Sequence, residues 1–457
     1  MPQAPQNSLY RIVKSDIGLR PPALTNACGM EIIMKKDLLH TPEGVRDIYN
    51  GECASKLVLQ SRLHDVCSRY GYNDIQTPSI EFFDVFSKER GSVPSNEMFK
   101  FFDRYGNTLV LRPDMTPAIA RTAAKYFADT AIPLKLCYSG NTFVNVNKYY
   151  QGKLKENTNI GAELIGDSSI EADYEIISMV IDCMKNSGLK EFQVEIGNVM
   201  FFKGLLKEAG ISGDEEEELL SLIQDKNYFG VEELLDDLKI DSNISKVLLE
   251  LPQMFGSVEV LDKAKQLTDN KECVASIDRL LQLYELLKIT GYDKYVTFDL
   301  GALSNHAYYT GIIFRAYTFG TGDAVINGGR YDKLIGQFGV DKESIGFSIT
   351  VDGLMAALSR QNIKVPVDIT GSLIVYSGNC TLKAIQMADI LRKNDINVCM
   401  IKENSSLTDE DYKRYASESQ LKYIIRLNND DNMYNVINVT DNTTAMYSDE
   451  EILKIQR

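Results

Sequence analysis

Apolar positions draw the first boundaries. Across residues 53–70, Leu59, Leu63, Val66, Cys67 and Tyr70 recur at intervals of three and four, which predicts a helix that Gly71 is placed to stop. Residues 73–78 read as a short strand closed by Pro78, and 99–103 and 108–111 flank a turn in a hairpin pattern. The second hairpin strand runs into Arg112-Pro113-Asp114-Met115-Thr116-Pro117. Proline at 117 suits a helix start, so 118–127 is a predicted helix and Asp114 and Thr116 fall at a strand-to-helix junction. Leu134, Leu136 and Tyr138 alternate with Lys135 and Cys137, a strand pattern, and a long polar loop covers 145–157. The return strand, 158–164, puts Asn159, Gly161 and Glu163 on one face and Ile160, Ala162 and Leu164 on the other. The apolar face must pack. The polar face suits a solvated sheet edge as well as it suits a ligand wall.

Ser168-Ser169-Ile170-Glu171 has the form of a capping box. It opens a predicted helix to about Asn186, with Ile176, Ile177, Val180, Ile181 and Met184 inward and Gly188 after its end. Residues 192–196 read as a strand. From about 202 to 287 the pattern is helical with short loops, and the acidic run 214–218 reads as a solvated helix start. Strand patterns resume at Tyr295. Tyr308-Tyr309-Thr310-Gly311 precedes the β-rich Ile312-Ile313-Phe314; a Gly-rich turn and a second strand then lead into Gly328-Gly329-Arg330-Tyr331-Asp332. Either this is a hairpin with tyrosines in its core, or tyrosine hydroxyls and bare glycine backbone converge on a small polar ligand. A helix is expected at 351–358 and a linker with Pro366 near 362–368. Beyond it, strands and helices alternate as a small α/β unit with βαβ connections. The expected organisation is a disordered extension at 1–36, a core at 37–362 with its helical insertion at about 203–290, and a C-terminal unit at 368–457.

Composition narrows the classes. The 457 residues are 44% apolar and 25% charged, as in an ordinary globular protein of two or three domains. A net charge of −15 opposes broad, non-specific binding to nucleic acid. The eight cysteines form no CxxC pair and several sit in apolar runs, so they read as reduced thiols of a cytosolic protein. Three scattered histidines, His40, His64 and His306, do not suggest a zinc site. No run of about 18 apolar residues predicts a membrane span.

TPEGVRD, GYNDIQTP, LRPDMT, NIGAELIG, YYTG and GGRYD occur in this order between Thr41 and Asp332. Together they resemble the histidyl-tRNA synthetases and their non-catalytic relatives over about residues 39–358. The C-terminal unit resembles, more weakly, that family's anticodon-binding domain. The resemblance implies an α+β fold: a class II aminoacyl-tRNA synthetase-like antiparallel sheet flanked by helices, with a helical insertion and a small C-terminal α/β domain. It also implies that the segment from TPEGVRD to GYNDIQTP lies in a homodimer interface.

The departures bear on activity. Where synthetases of this class hold phosphate with arginines, this chain has Val144 after Phe143 and Gly353 at the start of the last core helix. Ser304 stands at the offset of the arginine that precedes YYTG in the histidyl family. Adenylation needs such cations against developing phosphate charge, and losing one commonly costs about 10²–10³ in rate. Kept pocket and lost arginines resemble the regulatory branch of the family, which serves the short form of ATP phosphoribosyltransferase, the first enzyme of histidine biosynthesis. LVLRPDMTPAIAR, IGAELIGD and YYTGIIF carry that resemblance. It implies a non-catalytic chain, without cofactor or metal, that pairs with the short catalytic subunit as a homodimer core within a hetero-octamer. It further implies feedback inhibition by L-histidine and no functional tRNA binding. Carried over by position, Asp114, Thr116 and Glu163 would meet the ligand ammonium, and Tyr308, Tyr309 and Tyr331 the imidazole. Asn159 would stand near the carboxylate, with a shorter reach than the glutamine the family has there. A working histidyl-tRNA synthetase and a purely structural partner with a vestigial pocket are the alternatives.

Overall fold

The computed structural model describes residues 38–456, apart from 88–89, 92, 147–153, 226, 303–307 and 428–432. The expectations for 1–36, Ser304 and His306 lie outside the described residues. The chain divides into two units, Met1–Asp47 and Ile48–Arg457. In the first, Val45 N–H donates to the Pro42 carbonyl at 3.2 Å, and Gly44 supplies the positive φ of 83° that this tight turn requires.

The second unit is built on a nine-stranded sheet. Its strands are β1 (Asn73–Asp74), β5 (Leu134–Phe143), β6 (Glu156–Ile165), β7 (Phe192–Asn198), β8 (Phe255–Gly256), β9 (Val296–Asp299), β10 (Ile312–Thr318), β11 (Ile326–Arg330) and β12 (Ser344–Thr350). Their spatial order is β1-β5-β6-β12-β11-β10-β7-β9-β8. Pairing is antiparallel except for β1 with β5 and β7 with β9. A separate sheet of three strands, in the order β2 (Ile80–Phe82), β4 (Thr108–Leu111), β3 (Lys100–Phe102), contains the expected hairpin, with Lys100 opposite Val110.

Helices α1 (Asn50–Arg69) and α3 (Ile170–Asn186) cover one face of the large sheet. Leu59, Leu63 and Val66 of α1 and Ile176, Ile177 and Val180 of α3 join Ile160, Ala162 and Leu164 of β6 in the main core. Helix α2 (Thr116–Tyr126) lies over the other face, where Met115, Ile119 and Ala123 pack with Tyr138, Tyr308, Tyr309 and Tyr331. The solvated-edge reading of β6 is therefore overturned. This strand lies between β5 and β12, and its polar face is enclosed: Glu163 is 1% exposed and Asn159 7%. Period-2 alternation reports that two faces differ, not what covers them. The capping box also needs correction. Ser169, not Ser168, caps α3 by accepting from Ala172 N–H, so Glu171 sits at the second helical position, too early for the reciprocal bond.

The described residues of 199–289 form six α-helices, α4 (Val199–Ala209), α5 (Asp214–Gln224), α6 (Tyr228–Asp237), α7 (Ser242–Glu250), α8 (Glu259–Gln266) and α9 (Lys271–Ile289), with the short strand β8 among them. The acidic run fills the first turn of α5, where carboxylates complement the helix dipole. After α10 (Val351–Arg360), a five-stranded sheet runs β14 (Val398–Lys402), β13 (Ser372–Tyr376), β15 (Tyr423–Leu427), β16 (Met433–Asn438), β17 (Thr444–Ser448). Helices α11 (Thr381–Lys393) and α12 (Asp409–Glu418) make its crossovers. The last hairpin and α13 (Asp449–Ile455) were not expected from the sequence. A readable signal existed in Thr440-Asp441-Asn442-Thr443, where Asn442 takes a φ of +58° between two alternating runs.

No helix among the described residues is long and apolar enough to cross a membrane. The seven described cysteines are free thiols.

Candidate functional site: a cavity of tyrosines with a carboxyl group on its wall

The site is assembled from four stretches distant in sequence. The β4–α2 junction brings Asp114 and Thr116, β6 brings Asn159 and Glu163, the segment before β10 brings Tyr308 and Tyr309, and the end of β11 brings Tyr331. Six of these seven line one cavity of about 150 Å³. Glu163 lies directly behind the wall. It accepts a hydrogen bond from Thr116 Oγ1 at 2.8 Å and one from the Tyr331 hydroxyl at 2.5 Å. A structural role for Glu163 would pair it with a core arginine such as Arg112 or Arg330, and neither pairs with it. Arg112 donates to the Asn141 and Thr77 carbonyls. Arg330 donates to Asp173 from Nε at 3.0 Å and from Nη2 at 2.5 Å.

Glycine makes the room. A Cβ built on Gly346 would fall 1.6 Å from Glu163 Oε2, and one on Gly329 would fall 2.7 Å from the Tyr309 ring. The tyrosine rings meet edge to face: Tyr308 and Tyr309 centroids are 4.9 Å apart, Tyr308 and Tyr331 6.1 Å. Lys203 of α4 donates to the Tyr309 carbonyl at 3.1 Å and steadies that segment.

Burial dominates the electrostatics. It pushes the Glu163 carboxyl up to about 8; the Tyr331 and Thr116 hydrogen bonds pull it down, and Asp114 adds a smaller upward push. The hydroxyls of Tyr138, Tyr308 and Tyr331 are also held well above their usual value by burial, so they remain hydrogen-bonding groups and not bases. Asn159 donates to Thr142 Oγ1 at 2.6 Å and is held at the far end of the cavity, beside Ser348 and Thr350. Pattern reading passed over Thr142, Asn327 and Ser348. Asn327 had a signal, being the polar residue two before Gly329 on the same strand.

The comparisons with known proteins agree with this geometry. The histidyl-tRNA synthetase family model matches residues 44–354. The ATP phosphoribosyltransferase regulatory subunit of Acetivibrio thermocellus is 37% identical over 416 residues, 91% of this chain and 99% of that one. The chain belongs to the ATP phosphoribosyltransferase regulatory subunit family. A crystal structure from Bacillus halodurans, described as an ATP phosphoribosyltransferase regulatory subunit/histidyl-tRNA synthetase, matches with a TM-score of 0.75 at 30% identity, covering 86% of this chain and 99% of its own. Histidyl-tRNA synthetase from Nostoc sp. PCC 7120 shares the fold, with a TM-score of 0.75 at 18% identity over 92% of this chain and 99% of its own.

Within this regulatory-subunit fold, no described residue lining the cavity is cationic. Val144 follows the end of β5, its N–H donating to the Lys155 carbonyl at 2.8 Å. Gly353 is the third residue of α10, where a Cβ would meet only Thr350 at 3.7 Å, so space for a longer side chain exists there. Among the described residues one trio has metal-ligand chemistry, namely His64, Asp74 and Cys137. His64 Nε2 lies 2.6 Å from Asp74 Oδ1, and burial pushes the Cys137 thiol up to about 12. Such a thiol is a poor metal ligand, and the trio reads as a His–Asp contact beside a core cysteine.

Proposed function

We propose that this chain is the non-catalytic partner of a short-form ATP phosphoribosyltransferase catalytic subunit, which it activates, and that its cavity senses L-histidine and conveys feedback inhibition. The observation that carries the reading is a cavity with Asp114 and three tyrosines on its wall and Glu163 directly behind it, while its described lining holds no cation for phosphate. Carboxylates suit an ammonium, and neutral hydroxyls suit an imidazole with one donor and one acceptor. Amino-acid activation needs the opposite, fixed positive charge against a triphosphate. The seven free thiols support a cytosolic setting, and the net charge of −15 opposes tRNA binding.

The three-stranded sheet supports self-association. Ile80 and Phe82 are 51% and 53% exposed, and they share a face with Phe101, Leu109 and Leu111. The opposite face, with Val110, is packed. A contiguous apolar face of this kind suits a homodimer core, onto which the catalytic subunits would assemble as a hetero-octamer.

One observation favours a second reading, a structural partner with a vestigial cavity: Glu163 sits behind Thr116 and Tyr331 and not on the wall. Co-expression with the cognate short catalytic subunit, followed by assay of phosphoribosyl-ATP formation with and without histidine, tests both. Activation with histidine inhibition supports the sensor; activation without it supports the vestigial cavity. Histidine-dependent pyrophosphate exchange at an ordinary synthetase rate would overturn both.

A further inference from the structure

The cavity is electrostatically one-sided. Asp114 stands on its wall, with Glu163 close behind. Thr142, Asn159, Ser348 and Asn327 line it elsewhere, all neutral. An α-amino acid, the ligand class read above, brings an ammonium that suits the acids. It also brings a carboxylate, which needs charged or donor partners once it leaves water.

Sheet register locates a cation on the right face. Gly161 lies opposite Ser348, Ser348 opposite Asn327, Asn327 opposite Arg315, and Arg315 opposite Glu195. Residues opposite one another project from the same face of a sheet. Arg315 therefore stands on the cavity face, one strand spacing of about 4.8 Å beyond Asn327. The adjoining row on that face reads Glu163, Gly346, Gly329, Ile313. Its glycines carry no side chain of their own and leave room for the Glu163 carboxyl and the Tyr309 ring. The positive charge of Arg315 is felt at the Tyr309 hydroxyl, whose pKa it lowers against the larger upward push of burial. Arg315 is half-buried and hydrogen-bonds the Tyr317 hydroxyl, so it is held and partly desolvated.

We propose that Arg315 is the anion-binding residue of this cavity and receives the ligand carboxylate, with Asn327 beside it, while the ammonium lies toward Asp114. This rests on the cavity being an amino-acid sensor. A guanidinium presents a planar fork matched to a carboxylate, so it gives orientation as well as charge. Glu195 stands opposite on β7, where its charge would offset part of the cost of burying that cation.

The test is calorimetric titration of the purified full chain with L-histidine and with histamine, which keeps the ring and the ammonium but has no carboxylate. Arg315→Ala is expected to weaken histidine by about 10- to 150-fold and to leave histamine binding little changed. Arg315→Lys, which keeps charge without the fork, should fall between. Equal loss of both ligands in a folded Arg315→Ala protein would make Arg315 a structural residue and overturn the proposal. So would unchanged histidine affinity, while leaving the sensor reading intact. If Arg315→Ala does not fold, Arg315→Lys decides: selective loss of histidine supports the proposal, and equal or no loss overturns it. Wild-type protein that binds neither ligand removes the sensor reading and this proposal together.

Discussion

Glu163 sits in an environment unlike the one its type prefers. It is 1% exposed, its partners are two hydroxyls, and its folded carboxyl titrates near 8, against 4.5 in the open chain. Folding thus takes up a proton between those values. The stability associated with the protonated form is complete below about 4.5 and is lost as pH rises through about 8. Glu163→Gln copies the neutral form, so its unfolding free energy should vary less between pH 5 and 8 than that of the wild type. An identical slope would show that Glu163 is already ionised in the folded protein. An ammonium in the cavity should favour the ionised form and expel the proton. Histidine binding near pH 7 is then expected to release protons, read as different heats in buffers of different ionisation enthalpy, and Glu163→Gln should abolish the difference. The same substitution should weaken histidine by about 10- to 150-fold, the value of a hydrogen bond to a charged group. Full affinity in the folded variant would place the inhibitor elsewhere.

Asp173 joins three elements. It projects from α3, is fully buried, and accepts from Arg330 of β11 at 2.5 Å and from Arg279 of α9 at 2.6 Å. Arg330 also donates to the Asp167 carbonyl, and Arg279 to the Ser168 carbonyl. The strand that presents Tyr331 is thereby tied to the core helix and to the long helix that closes 199–289. Removing the acid strands at least one buried guanidinium, and such losses cost about 3–5 kcal/mol. Asp173→Ala should lower the urea midpoint accordingly and weaken histidine binding through displaced Tyr331. A midpoint unchanged from wild type would mean that the backbone carbonyls suffice for both arginines. A strand-scale counterpart is Gly346→Ala. Its new methyl would occupy the space of Glu163 Oε2 and stand 2.7 Å from the Ala162 carbonyl oxygen, so ligand affinity and stability should both fall. Loss of stability alone would contradict the assigned role of this glycine.

For the whole molecule, the proposed homodimer would use the uncovered face of the three-stranded sheet. Ile80→Asp with Phe82→Asp places two charges where an apolar surface must meet its copy. Sedimentation of the double variant should show monomer at concentrations where the wild type is dimeric. A dimer that persists would move the interface to another surface. If the proposed assembly is built on that dimer, the proposed activation of the catalytic subunit should fall with it.

Local pattern located most of the elements. The three-and-four spacing of Leu59, Leu63 and Val66 and the apolar stripe of Ile176, Ile177 and Val180 predicted α1 and α3, because an amphipathic helix records its buried side in its own spacing. The Asp114 junction, the alternation of 158–164 and the tyrosines before β10 were legible for the same reason. Each depends on near neighbours in the chain. Only the tertiary structure decided that β6 is interior and not an edge, because its second partner, β12, arrives from far along the chain, while β5 is its hairpin neighbour. It alone paired Arg330 with Asp173, 157 residues away, and left Glu163 to hydroxyls. It alone brought Arg315 into line with Asn327 and Ser348, since a row across a sheet is set by register between strands and leaves no trace along any one of them.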